Sequence, residues 1–132
     1  MTPPTNIMDR ADCARAMWDF GVFNDCFAYR IRFSDLDGIV HVRAGDQDFF
    51  HVFEGQRGTS CAKARGQALL LSALSLLPNT SVITVAGDNA TWDLNDVGLY
   101  VRGQYHHKPG WKLEDVRRRL SDWYDHTGRG RT

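Results

Sequence analysis

Residues 81–86, with the sequence SVITVA, decide how the rest of the chain is interpreted. The run is rich in β-branched residues and carries no charge, which is typical of a central strand buried on both faces. The segment before it, from Ala68 to Leu77, is apolar on nearly every side, which predicts a widely covered helix that begins at Thr59 or Ser60 and ends at Pro78. A helix that leads back into a buried strand is how a parallel crossover is built.

Upstream of this helix, the sequence predicts three short strands joined by tight turns. Residues 27–34 alternate between apolar and polar side chains with a period of two, which indicates a strand with one buried face. Asp35-Leu36-Asp37-Gly38 supplies a turn, and two further strands follow at residues 39–43 and 48–54, before a loop at residues 55–58. The three strands are expected to form an antiparallel meander.

Downstream of the buried strand, the pattern is mixed until the last helix. Residues 90–94 suit a short helix, residues 99–101 fit either a helix or a strand, and residues 104–110 look like a loop. The last helix is marked by an apolar stripe of Leu113, Val116, Leu120 and Trp123. At the other end of the chain, residues 9–20 predict a helix that ends at Gly21, with residues 1–7 expected to be disordered and residues 129–132 to form a flexible basic tail.

A length of 132 residues fits one α/β domain, residues 1–132. The 16 Lys and Arg residues balance the 16 Asp and Glu residues, which argues against a protein held to nucleic acid mainly by bulk charge. No apolar run is long enough to span a bilayer, and no secretory signal is evident, so no membrane partner is expected. Three cysteines without CxxC spacing predict reduced thiols and a cytoplasmic location.

From the first predicted strand onward, the element order resembles the ribonuclease-H-like fold, in which the fourth strand lies beside the first. Within that superfamily, short motifs resemble the DEDD 3′–5′ exonucleases of the proofreading type. Residues 33–37 (FSDLD) are similar to the Asp-x-Glu that closes strand one, and residues 85–94 (VAGDNATWDL) are similar to the second motif. Leu113-Glu114-Asp115, with Thr127-Gly128 further on, is similar to the third.

The resemblance implies a metal-dependent exonuclease with Mg²⁺ or Mn²⁺ held by four carboxylates, those of Asp35, Asp37, Asp93 and Asp115. Two such metals would activate water and stabilise the leaving oxygen of a phosphodiester. The family's general base falls at Gly110, so His107 is the substitute candidate for the catalytic base. Asn89 and Trp92 of the second motif are candidates for nucleic-acid binding, although Trp92 also suits a core position.

Two other functions stay open from the sequence. Residues 58–65 (GTSCAKAR) resemble the entry to the second helix of the double-stranded-RNA-binding domain, where Lys63 and Arg65 would meet phosphates. The third class is a small non-enzymatic interaction or inhibitor protein of the kind carried by phages and mobile elements, with a protein partner. Structural roles also suit the acids, because Asp35 and Asp37 favour a turn and Asp115 favours a helix start.

Overall fold

The computed structural model describes residues 20–26, 36–58, 60–61 and 65–128. The chain divides into two units, Met1–Asp35 and Leu36–Thr132. In the first unit, a 3₁₀ helix spans Phe20–Cys26, and Gly21, the predicted end of the N-terminal helix, lies within it. The rest of that predicted helix, the predicted strand at residues 27–34 and both terminal segments fall outside the described residues.

The described part of the second unit contains a five-stranded mixed sheet and two helices, which confirms the α/β prediction. The strands are β1 (Gly38–Ala44), β2 (Gln47–Arg57), β3 (Thr80–Gly87), β4 (Leu94–Val101) and β5 (Gln104–His107), in that spatial order. β2 and β3 run parallel, and the other neighbours are antiparallel. Helix α1 (Arg65–Ser75) makes the parallel crossover between β2 and β3, and α2 (Leu113–His126) follows β5.

The uncharged run at residues 81–86 lies in β3, the middle strand of the sheet, as predicted. β3 pairs with β2 along one edge and with β4 along the other. The predicted strand at residues 27–34, expected beside β3, lies outside the described residues. The α1 crossover places β3 directly beside β2, the strand that precedes it in sequence, because consecutive strands are usually neighbours in a sheet. The ribonuclease-H-like strand order is thus not confirmed.

Four local predictions are also corrected by the structure. β2 continues to Arg57, through the predicted loop at residues 55–58, because Gly55 to Arg57 pair with β3. Residues 104–110 contain β5 rather than only a loop, because β4 offers its free edge to Gln104–His107. The short helix predicted at residues 90–94 is a turn, in which Trp92 has a φ of 61° that no right-handed helix contains. Ser60 is not helical, and α1 begins at Arg65.

The two helices cover opposite faces of the sheet because adjacent residues of a strand point to opposite sides. Val82 of β3 lies in a cluster with Leu71 of α1, both fully buried. Ile83, its neighbour in sequence, lies in a second cluster with Val116 of α2. None of the described helices is long and apolar enough to cross a membrane.

Candidate functional site

A cavity of about 500 Å³ opens at the carboxyl ends of β2 and β3. Because these strands are parallel, their ends meet at one edge of the sheet, which is where open α/β sheets bind ligands. The start of antiparallel β1 reaches the same edge. We call this site the β2–β3 cavity. Its polar lining comes from Asp37, Glu54, Gln56, Asp88 and Asn89, and its apolar lining from Phe53, Val85, Trp92 and Leu94.

Asp37 is held at the cavity by the backbone of β2. The Gly55 N–H donates a hydrogen bond of 2.7 Å to Asp37 Oδ2. This contact follows from the β1–β2 register, in which Gly38 faces Phe53. The Asp37 side chain is exposed, so its carboxylate is fixed in position and still accessible to a ligand.

Glu54 is the second acid at the cavity, and sequence reasoning missed it. The residue is only 5% exposed, and Gln67 Nε2 of α1 donates a 3.0 Å hydrogen bond to its Oε2. Val52 and Glu54 point to the same face of β2, which α1 covers. The signal in the sequence is an acid on the same face of a strand as a buried valine. A buried carboxylate is costly unless it is paired, so an acid at such a position indicates a partner or a ligand.

The turn from Asp88 to Asp93 places two of the predicted nucleic-acid-binding residues, Asn89 and Trp92, in the cavity wall. Asp88 Oδ1 accepts hydrogen bonds from the backbone N–H groups of Ala90 and Thr91, at 2.8 and 3.3 Å. The Trp92 N–H donates to the Asp88 carbonyl at 2.8 Å. The cavity therefore brings Asp37, Asn89 and Trp92 together.

Two of the other predicted metal ligands, Asp93 and Asp115, are engaged elsewhere. The Asp93 side chain is 74% exposed and lies 3.5 Å from Lys112 Nζ, outside the cavity. Asp115 Oδ2 accepts a 2.8 Å hydrogen bond from the Lys112 N–H, so it caps the start of α2. Asp35 and Lys63 lie outside the described residues, and Arg65 is the first residue of α1. Within residues 20–26, 36–58, 60–61 and 65–128, no group of three or more His, Cys, Asp or Glu side chains is placed to hold a metal.

His107, the predicted catalytic base, belongs to a separate cluster around Asp96. His107 Nε2 lies 2.6 Å from Asp96 Oδ1, and the Cys61 N–H donates to Asp96 Oδ2 at 2.7 Å. Burial alone would raise the pKa of Asp96, but the hydrogen bonds from Cys61 and His107 outweigh it and lower that pKa. The register places His107 three strands from Glu54, roughly 14 Å away. His107 therefore lies outside the β2–β3 cavity.

We expect Asp96→Ala to lower the free energy of unfolding by about 1–3 kcal/mol, because the partly buried Cys61 N–H would lose its charged acceptor. Urea denaturation at pH 7 measures this loss. The matched control is His107→Ala, which removes the other partner of Asp96. Its side chain is 55% exposed, so its loss should cost less than about 1 kcal/mol. Equal costs for the two variants would show that the cluster depends on His107 instead.

The chain matches no family model, and searches of curated proteins and of solved structures found no match either. The chemistry of the β2–β3 cavity therefore has to be inferred from the residues that line it.

Proposed function

We propose that the chain is a metal-dependent phosphodiesterase that acts on nucleic acid, with the β2–β3 cavity as its active site. One observation carries the proposal: Asp37 and Glu54 line the same cavity as Trp92, at the carboxyl ends of two parallel strands. Carboxylates beside an aromatic wall suit a ligand that has both phosphates and flat bases. Asp37 and Trp92 are also candidates that the exonuclease-like motifs identify.

The donor set at the cavity fits Mg²⁺ or Mn²⁺. Magnesium is commonly bound through one or two carboxylates, with water and substrate phosphate oxygens completing its coordination. Asp37 and Glu54 would supply those two carboxylates. Without a cation, the same two acids would repel a phosphodiester. A bound metal would therefore be needed for substrate affinity as well as for chemistry.

Within this proposal, the protein's own groups position the two acids. The Gly55 N–H holds Asp37, and the Gln67 amide holds Glu54 from the side of α1. Fixed carboxylates keep a metal site organised before the ligand arrives, which is how outer hydrogen bonds support metal affinity. The metal, when bound, supplies an activated water and stabilises the leaving oxygen.

The proposal keeps the activity class of the DEDD resemblance but changes the ligand set. Asp37 is retained and Glu54 is added, whereas Asp93 and Asp115 are left with structural roles. A remote kinship with the ribonuclease-H-like fold remains part of the proposal, based on the mixed sheet, the crossover helix and the motif at Asp37. A cytoplasmic location is proposed from the cysteine pattern, since the three cysteines lack CxxC spacing.

Metal titration of single variants tests the proposed ligand set. Saturating Mn²⁺ should raise the melting temperature of the unmodified protein by roughly 5–10 °C, because a ligand that binds only the folded state stabilises it. Asp37→Asn and Glu54→Gln should abolish this shift, and Asp93→Asn, whose side chain lies outside the cavity, should retain it. In Asp37→Asn and Glu54→Gln, cleavage of labelled single-stranded DNA or RNA should also fall. The loss should exceed the roughly 10- to 100-fold that is typical when a residue that only supports a metal ligand is changed.

The alternatives give different results in the same experiment. Loss of the Mn²⁺ shift in Asp93→Asn but not in Glu54→Gln would restore the ligand set that the exonuclease motifs imply. No metal response and no cleavage by the unmodified protein would reject the enzyme and favour an interaction protein. Salt-dependent affinity for duplex RNA that is lost in Lys63→Ala would favour the RNA-binding alternative.

A further inference from the structure

Trp92 is unusual among the described tryptophans. Trp111 packs against the core cluster on the α2 side, and Trp123 contacts the His51 ring edge-on. Trp92 is 46% exposed and faces the β2–β3 cavity. Its φ of 61° is uncommon for any residue other than glycine, and more so for one with a large side chain. Such backbone strain concentrates at binding sites. Burial of the ring therefore does not explain why a tryptophan occupies this turn.

The turn around Trp92 is fixed by hydrogen bonds at both ends. The Asp88 N–H donates to the Asp93 carbonyl at 3.0 Å, and the Trp92 N–H donates back to the Asp88 carbonyl at 2.8 Å. The Asp93 N–H also donates to Thr91 Oγ1 at 3.2 Å. The indole is therefore attached to an ordered backbone before any ligand binds, which reduces the entropic cost of binding.

We propose that Trp92 is a stacking platform for an unpaired base, so that the cavity accepts single-stranded nucleic acid. This inference rests on the function proposed above and deepens it. Phe53, Val85 and Leu94 continue the apolar wall beside the indole, and Asn89 places an amide at the same cavity. The acids lie in the same cavity, where a metal would receive the phosphate. Bases inside a duplex are already stacked and paired, so only an unpaired base has a free face for Trp92.

Binding of a fluorescently labelled 12-residue oligothymidine, measured by anisotropy with Ca²⁺ in place of Mg²⁺, tests the platform. Trp92→Asn removes the ring while keeping a residue that tolerates a positive φ, so the turn should be preserved. It should weaken Kd about 5- to 150-fold, the range expected for the loss of one aromatic stack. Trp92→Phe should retain most of the affinity. The matched control is Tyr124→Asn, which removes a 40% exposed aromatic outside the cavity and should leave Kd unchanged.

Two further ligands separate stacking from other contacts. An oligomer of the same length with abasic positions should bind the unmodified protein and Trp92→Asn equally weakly, and a duplex of the same sequence should show no dependence on Trp92. Unchanged affinity of Trp92→Asn for oligothymidine would overturn the platform. If that happened while Asp37→Asn still lost its Mn²⁺ shift, the phosphodiesterase would survive without the platform. Binding that depends on Trp92 without any metal response would support the platform and reject the catalysis.

Discussion

Gly87→Ala should destabilise the protein by about 3 kcal/mol and abolish the metal response of the β2–β3 cavity. A Cβ atom at this position would lie 2.9 Å from Leu94 Cα and would also clash with the Asp93 carbonyl oxygen. Both obstacles are backbone atoms, so no side-chain rotation can relieve the contact. Overpacking of this kind typically costs 1–3 kcal/mol, and more when the backbone must move. Urea denaturation gives the loss of stability, and Mn²⁺ titration gives the loss of the site.

The clash matters for function because Gly87 lies where the β3–β4 ladder shifts register and the Asp88–Asp93 turn begins. The control is Gly45→Ala in the β1–β2 turn. Its φ is 65°, and a Cβ atom there would meet nothing within 4 Å. It should therefore cost only about 1–2 kcal/mol, from the left-handed conformation, and should leave the metal response intact. Similar losses in the two variants, with the metal response kept in both, would show that β3 does not depend on close packing at Gly87.

His51 should make the protein sensitive to acid well above the range in which carboxylates titrate. The ring is fully buried against Phe53 and Trp123, with centroid distances of 5.1 and 5.4 Å, and within the described part of the chain neither ring nitrogen makes a hydrogen bond of standard geometry. Burial first, and then the nearby positive charge of Arg119, lower the pKa of His51 from 6.5 to about 4.

The direction of the effect follows from proton linkage. The folded pKa of His51 lies below the unfolded pKa, so the unfolded chain takes up the proton first as the pH falls. Stability is therefore lost between pH 6.5 and about 4. At about 1.4 kcal/mol per pH unit, the loss amounts to about 3 kcal/mol. The pKa values of Asp48 and Asp96 are lowered from 3.8, so their contributions are lost only at still lower pH.

His51→Phe should remove most of this acid sensitivity. Phenylalanine keeps the ring packing and eliminates two buried nitrogens, which should also stabilise the protein by about 1–2 kcal/mol at pH 7. Urea denaturation at pH 7 and pH 4.5 compares the two proteins. The control, His41→Gln, alters an exposed histidine that lies 2.7 Å from Asp48. An unchanged loss of stability between the two pH values in His51→Phe would assign the acid sensitivity to other groups.

Local sequence patterns identified the elements whose signal lies within the element itself. The β-branched run at residues 81–86 and the apolar stripe of α2 both depend on local spacing, and both predictions are confirmed. The strand that pairs with β3 could not be found this way, because pairing joins residues far apart in sequence. β5 was missed for another reason: all four of its side chains are exposed, so burial leaves no alternation in Gln104–His107.

In the candidate site too, local motifs predicted some residues, whereas residues that depend on contacts between distant segments were missed. Asp37 was found because it belongs to a short motif, and its hydrogen bond to Gly55 then explains its position. Glu54 was missed because a period of two shows which residues share a face but not which face a helix will cover. Its partner Gln67 lies 13 residues away on α1, and only the crossover brings the two together. Trp92 suits a core position by its residue type, but in the Asp88–Asp93 turn its side chain is exposed.

The exposed character of β5 also affects how copies of the protein meet. In the described sheet, β5 pairs with β4 along one edge and forms one end of the strand order. An edge strand of this kind has an unpaired backbone side, on which another chain can add a strand and begin to aggregate. Four residues with a polar sequence, Gln-Tyr-His-His, make that edge short and well hydrated. Self-association through this edge is therefore disfavoured.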